Sequence, residues 1–183
     1  MRFPALLDTN VLYGALLNDL VLTLADHGLF RPLWSEEILT ELKRNLRRSG
    51  ESRELSEKRV STMMRYFPDA MVTGYEALVS TMTNDPKDRH VLAAAIRGGA
   101  EVLVTFNLKD FPPASLQGYD VEVVHPDTFL LDQLDLHPAR TRQALVELVA
   151  NYENPAMTVH DFLLALTRAA VPEFAEAARQ QLF

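Results

Sequence analysis

Carboxylates recur in this chain at places where they add little to a core. Asp8 follows the apolar run Phe3 to Leu7 directly, and a turn or helix N-cap is the plain alternative to a reacting group there. Glu41 lies two turns into the helix that Ser35 opens. Ile38, Leu42 and Asn45 are its neighbours, so it borders the apolar face, although a solvated Glu would read the same way. Asp85 and Asp88 stand at the start of a further helix, as N-cap and first-turn residue, and capping leaves Asp88 the freer of the two. The stretch Thr105-Phe106-Asn107-Leu108-Lys109-Asp110-Phe111 offers hydroxyl, amide and carboxylate together, or simply a polar loop with Asx turns. Gathered at one rim, such carboxylates would repel one another and hold either protons or a divalent cation. An oxygen-only set favours Mg²⁺ or Mn²⁺ over Zn²⁺, and the chemistry such a site serves is hydrolysis of phosphate esters or phosphodiesters.

The elements that would have to gather them alternate. Phe3 to Leu7 reads as a buried strand, followed by a helix from Asn10 or Val11 and another from Asp19 to His27 that stops at Gly28. Phe30 to Trp34 suits a second strand. Ser35 then caps a helix with Glu36 and Glu37 in its first turn, and a second basic helix runs from about Ser56 to Phe67, where Pro68 ends it. Asp69 to Thr73 is a weak strand, Asp85-Pro86 opens a helix over Lys87 to Arg97, and strands follow at Glu101 to Phe106 and Asp120 to Val124. Alternation of this kind predicts an α/β fold with a mainly parallel sheet and helices on both faces, whose ligands meet the carboxyl ends of the strands. After Pro126 only helices are expected: Asp127 to Leu134, Pro138 to Tyr152, Val159 to Ala170 and Pro172 to Leu182, with breaks at Asn154-Pro155 and Val171-Pro172. The division expected is 1–125 for the α/β unit and 126–183 for a helical extension.

Length and charge narrow the classes. The 183 residues suffice for one core with an appendage. The chain has no cysteine, which excludes disulfides, thiolate metal sites and thiol nucleophiles. No apolar stretch reaches membrane-spanning length, and the N-terminus lacks a signal peptide's apolar core, so a cytoplasmic chain with no membrane contact is expected. The net charge of -7 argues against a polyanion as partner. It is, however, unevenly spread. Between Lys43 and Arg65 eight basic residues face three acidic ones, so this stretch is +5 and the rest of the chain -12. Such a stretch can grip a polyanion locally or form a solvated face with pairs such as Glu54–Lys58. Phosphate-loop, dinucleotide, serine-elbow and zincin motifs are absent, and His90 beside Val91-Leu92 reads as structural or capping.

Four segments resemble the PIN-domain ribonucleases, and within them the VapC-type toxins of toxin-antitoxin pairs. They are Leu6-Leu7-Asp8-Thr9-Asn10-Val11-Leu12, Trp34 to Leu42, Asp85-Pro86-Lys87-Asp88-Arg89-His90-Val91-Leu92-Ala93-Ala94-Ala95, and Val104 to Phe111. The resemblance implies a PIN-like fold and a Mg²⁺- or Mn²⁺-dependent endoribonuclease. Asp8, Glu41, Asp88 and Asp110 would be its acidic metal-binding and catalytic residues, with Thr9, Asn10, Thr105 and Asn107 supporting them. Many relatives carry Asp where Asn107 stands, and Asp110 is expected to be the fourth acid here. Lys43, Arg44, Arg47 and Arg48 would hold the RNA backbone, transfer RNA or ribosomal RNA being suitable targets. A small cognate antitoxin and a homodimer are the implied protein partners. The helical tail resembles an extension found in one subgroup. Two alternatives stand: a haloacid-dehalogenase-like phosphatase with Asp8 as nucleophile, although position 10 is Asn rather than that family's second Asp, and a non-catalytic PIN-like binding module.

Overall fold

A computed structural model of the chain describes residues 2–153 and 155–183. Five strands form one parallel sheet: β1 (Pro4–Leu7), β2 (Arg31–Ser35), β3 (Met71–Val72), β4 (Val102–Val104) and β5 (Glu122–Val124), in the order β3-β2-β1-β4-β5. β1 is the central strand. Its Ala5, Leu6 and Leu7 are fully buried, as expected of an unbroken apolar run covered on both faces. The chain grows outward from β1 through β2 to β3, then returns to β1's other side for β4 and β5. The order therefore reverses between β1 and β4, where open α/β sheets form their ligand crevice. Leu7 is paired with Val104, so the residues that follow them, Asp8 and Thr105, emerge side by side.

The helices are α1 (Thr9–Tyr13), α2 (Ala15–Asp26), α3 (Glu36–Arg48), α4 (Arg53–Tyr66), α5 (Glu76–Val79) and α6 (Arg89–Gly98), then α7 (Pro126–Leu136), α8 (Pro138–Ala150), α9 (Val159–Arg168) and α10 (Pro172–Leu182). Several boundaries depart from the sequence expectation. α2 begins four residues before Asp19, because Gly14 breaks the chain and Ala15-Leu16-Leu17 continue the apolar face toward buried Leu17 and Leu20. α4 starts at Arg53 rather than Ser56, since the Ser52 hydroxyl accepts the Leu55 N–H, and Ser56 lies buried inside the helix. The α5 segment carries no strong periodicity, and the sequence predicts no helix there. Asp85 caps a 3-10 turn, Pro86–Asp88, by accepting from Lys87 N at 3.1 Å, and the α-helix proper begins only at Arg89. Gly98 closes α6 against the sheet: a Cβ there would lie 2.8 Å from Val72 Cγ2 and 3.1 Å from Leu33 Cδ1. Pro155 follows a break expected at Asn154-Pro155, of which Asn154 lies outside the described residues.

The extension is anchored rather than appended loosely. Phe129 of α7 meets Phe30 edge-on, with ring centroids 4.9 Å apart, and Phe3 completes the trio. Asp127 accepts from the backbone N–H groups of Glu173 (3.0 Å) and Phe174 (2.7 Å), so α7 supplies the first turn of α10 with a buried carboxylate acceptor. α8 packs along α2. No helix among the described residues is long and apolar enough to cross a membrane.

Candidate metal centre

Asp8 leaves β1 in extended conformation and caps α1. Its Oδ1 accepts from Thr9 N at 2.7 Å, and its Oδ2 accepts from Thr105 Oγ1 and Asn10 Nδ2, both at 2.7 Å. Thr105, fully buried, thereby spends its only proton on Asp8, while its oxygen accepts from Asn10 Nδ2 (3.0 Å) and Asn107 N (3.0 Å). Asn10 closes the ring by accepting from Phe106 N at 3.1 Å. The ends of β1 and β4 are thus tied by one side-chain network that fixes the Asp8 rotamer. Burial pushes the Asp8 carboxyl upward, against the lowering effect of the Thr105 and Thr9 hydrogen bonds, and the Glu41 charge adds to the rise.

Glu41 reaches the same network from α3. Ser35 caps that helix through Ile38 N, and Ile38, Leu39, Leu42 and Leu46 seat its apolar stripe. Thr9 Oγ1 lies 3.2 Å from the Ile38 carbonyl and 3.1 Å from Glu41 Oε2. On the far side Oε1 lies 3.6 Å from His90 Nε2 and 3.5 Å from Arg44, and the imidazole holds the Glu41 carboxyl below its usual range. His90 makes no capping bond. It is buried between α6 and α3, with Nδ1 also 3.6 Å from Glu37.

Asp88 ends the 3-10 turn and faces the cleft. Its Oδ2 is buried and has no hydrogen-bond partner. Desolvation first, then the Asp8 charge, push its carboxyl up to about 6. Asp110 is placed differently. Lys87 Nζ binds its Oδ2 at 2.9 Å and holds its carboxyl low, and Asp110 does not line the cleft, whereas Asn107 does. The cleft, of about 520 Å³, is walled by Asp8, Thr9, Asn10, Glu41, Asp88 and Asn107, with Tyr13, Asn45, Arg48 and Ser49 at its edge. A larger cleft of about 630 Å³ lies between α2, α4 and α8, but it holds none of the strand-end carboxylates, which line the smaller one.

The donor set suits a hard divalent cation. Among the described residues no three carboxylate or imidazole groups form a closed cage. Mg²⁺ does not need one, since it keeps several waters and is held through one or two carboxylates. Asp8 and Asp88, both on the cleft wall, would be such a pair. Sequence reasoning overlooked Lys87, although its place between Asp85 and Asp88 was a signal, and it also missed the contact of His90 with Glu41.

The basic stretch is partly spent on the fold. Arg47 binds Ser56 Oγ (3.1 Å) and Glu57 (2.8 Å), and Glu57 also takes Arg53. This replaces the Glu54–Lys58 pair suggested by spacing. Arg59 donates to the carbonyls of Leu12 and Tyr13, the last turn of α1. Arg44 is drawn to Glu41, Lys43 is half-buried, and Arg48 reaches the cleft.

Comparison with known proteins bears on the family of the chain. Residues 4–109 match the family model described as "PIN domain", and residues 126–180 match the one described as "VapC50 C-terminal domain". The chain is 46% identical over 124 residues to "Putative ribonuclease VapC50" of Mycobacterium tuberculosis (strain ATCC 25618 / H37Rv), covering 66% of this chain and 73% of that protein. No solved structure matches it. The chain belongs to the PIN-domain family, of the VapC type that carries a VapC50 C-terminal domain.

Proposed function

We propose that the chain is a Mg²⁺- or Mn²⁺-dependent endoribonuclease and the toxin of a toxin-antitoxin pair. The observation that carries this reading is the meeting of Asp8, Glu41 and Asp88 on one cleft at the reversal of strand order. Asp8 and Asp88 would hold the cation and Glu41 would face it across Thr9. Asp110, tied to Lys87, would act on the cleft through that lysine rather than directly. A bound divalent cation supplies a Lewis acid that lowers the pKa of attacking water and offsets charge on the leaving oxygen.

The chain's own groups do the orienting. The Asn10 amide and the Thr105 hydroxyl both point protons at Asp8 Oδ2, fixing the orientation of that carboxyl on the cleft wall and partly offsetting, in the case of Thr105, the upward push of burial. Thr9 couples the Asp8 and Glu41 arms through its backbone N–H and hydroxyl. Asn107, neutral, would offer its amide to a substrate phosphate or ribose without adding repulsion. Arg48 at the mouth, with Lys43 and Arg44 on the same helix, would take RNA phosphates on either side of the scissile bond, giving affinity without reading sequence. Asn10 stands where the phosphatase alternative needs a proton-donating acid, and an amide bonded to Asp8 cannot serve.

The division into a nuclease unit of 1–125 and an extension of 126–183, a cytoplasmic location, a homodimer and a cognate antitoxin that blocks the cleft belong to the same proposal. Incubation with total RNA and Mn²⁺ tests it. Cleavage is expected with the wild type and absent with EDTA or with Asp8→Asn. Undiminished cleavage in both conditions would refute it.

A further inference from the structure

The charge around the cleft does not add up to what two divalent ions require. Glu41 already faces Arg44 at 3.5 Å and His90 at 3.6 Å. Position 107 is a neutral amide, and Asp110 is bound to Lys87 at 2.9 Å. Only Asp8 and Asp88 remain, and Lys87 Nζ also stands 3.5 Å from Asp88 Oδ2.

Building on the metal reading above, we propose that Lys87 is a resident cation beside the cleft: its ammonium, held between Asp88 and Asp110, takes the place of a second divalent ion behind Asp88, so the chain binds one divalent cation.

The local backbone makes this more than a casual surface pair. The Asp85 side chain accepts Lys87 N at 3.1 Å, and Asp85 N donates to the Asp110 carbonyl at 3.0 Å. The turn bearing Lys87 and the turn bearing Asp110 are therefore latched together before their side chains meet. The acceptor is also sheltered, the Asp110 side chain being 7% exposed. Two carboxylates brought this near one another with no cation between them would repel, and one ammonium balances that repulsion without the exchange a bound ion undergoes. The Lys87 side chain is 61% exposed, so replacing it leaves the core untouched. In this scheme Lys87 is a positioning residue. It holds Asp110 back and leaves Asp8 with one face of Asp88 for the metal.

The test counts ions rather than turnover. Mn²⁺ is titrated into the full chain at neutral pH and bound ion is read by electron paramagnetic resonance. The wild type is expected to take one Mn²⁺ per chain, Lys87→Met two, and Lys87→Arg, which keeps the charge, one. Two ions on the wild type, or a single ion on a folded Lys87→Met, overturns the inference and leaves the metal reading standing. A folded wild type that takes no Mn²⁺ overturns the metal reading, and this inference with it.

Discussion

Replacing Asp88 by Asn should make the metal-free protein more stable. Asp88 caps no helix with its side chain, and its buried Oδ2 accepts no hydrogen bond, so the isosteric amide sacrifices little. The carboxylate titrates near 6 rather than 3.8 because burial and Asp8 both disfavour its charge. A rise of this size corresponds to roughly 3 kcal/mol held against the fold at neutral pH. The side chain borders an open cleft, however, so solvent screening reduces this figure, while the 3.5 Å contact with Lys87 that the variant also loses is already contained in it. The net expectation is a gain of about 1–2 kcal/mol. Its sign with pH follows from linkage. A carboxyl whose folded pKa is raised carries no penalty below about 3.8, where both states hold the proton. The penalty grows as pH climbs to about 6 and is complete above it. The variant's advantage should therefore open between those values and then stay level. Urea denaturation in EDTA, followed through the buried single tryptophan Trp34, measures it across pH. Adding Mn²⁺ should raise the wild-type midpoint more than the variant's. A variant equal to or weaker than the wild type at pH 7.5, or an advantage that does not change with pH, would refute the repulsion argument.

The basic helix should prove unequal along its length. Arg48→Glu is expected to weaken RNA affinity and flatten its salt dependence more than Arg47→Glu, because Arg48 lines the cleft whereas Arg47 is held by Ser56 and Glu57. Equal losses in a filter-binding series at two salt concentrations would count against that division. In the extension, Asp127→Ala removes the acceptor of two backbone N–H groups at the start of α10. A loss of about 2–4 kcal/mol is expected by thermal denaturation, since hydrogen bonds to a charged group contribute about 1.5–3 kcal/mol each and the Phe174 donor is left buried, whereas exposed Glu173 can turn to water. An unchanged transition would mean α10 is held by its apolar contacts alone.

How much of this could be read from the chain alone differs by element. The apolar run before Asp8, the Ser35 cap, the Gly98-Gly99 stop and the alternation of strands and helices follow from local chemistry, and they determined the α/β class and the helical tail. Local signals alone leave Asp8, Glu41 and Asp88 open to plain readings as caps or a solvated helix residue, and it is their joint placement and the resemblance to a family that single them out. Element ends were less certain. α2 and α4 begin where tertiary burial of Leu17 and Ser56 continues a helix that propensity alone would start later.

What no local reading could decide is which of these polar groups meet. The register of β1 with β4 sets Asp8 beside Thr105, ninety-seven positions away, and makes the hydroxyl the carboxylate's donor. The seating of α6 and α3 on the same strand β2 brings His90 to Glu41, and the latch between two turns gives Lys87 to Asp110, drawing that acid off the cleft and leaving Asn107 on its wall. Sequence specifies side-chain chemistry and the face each residue takes on its own element. Distances between elements depend on how the apolar faces pack. The net charge of the chain says little about its partner for the same reason: exposed charges are largely screened beyond about 8–10 Å, and only the fold determines which charges stand that close.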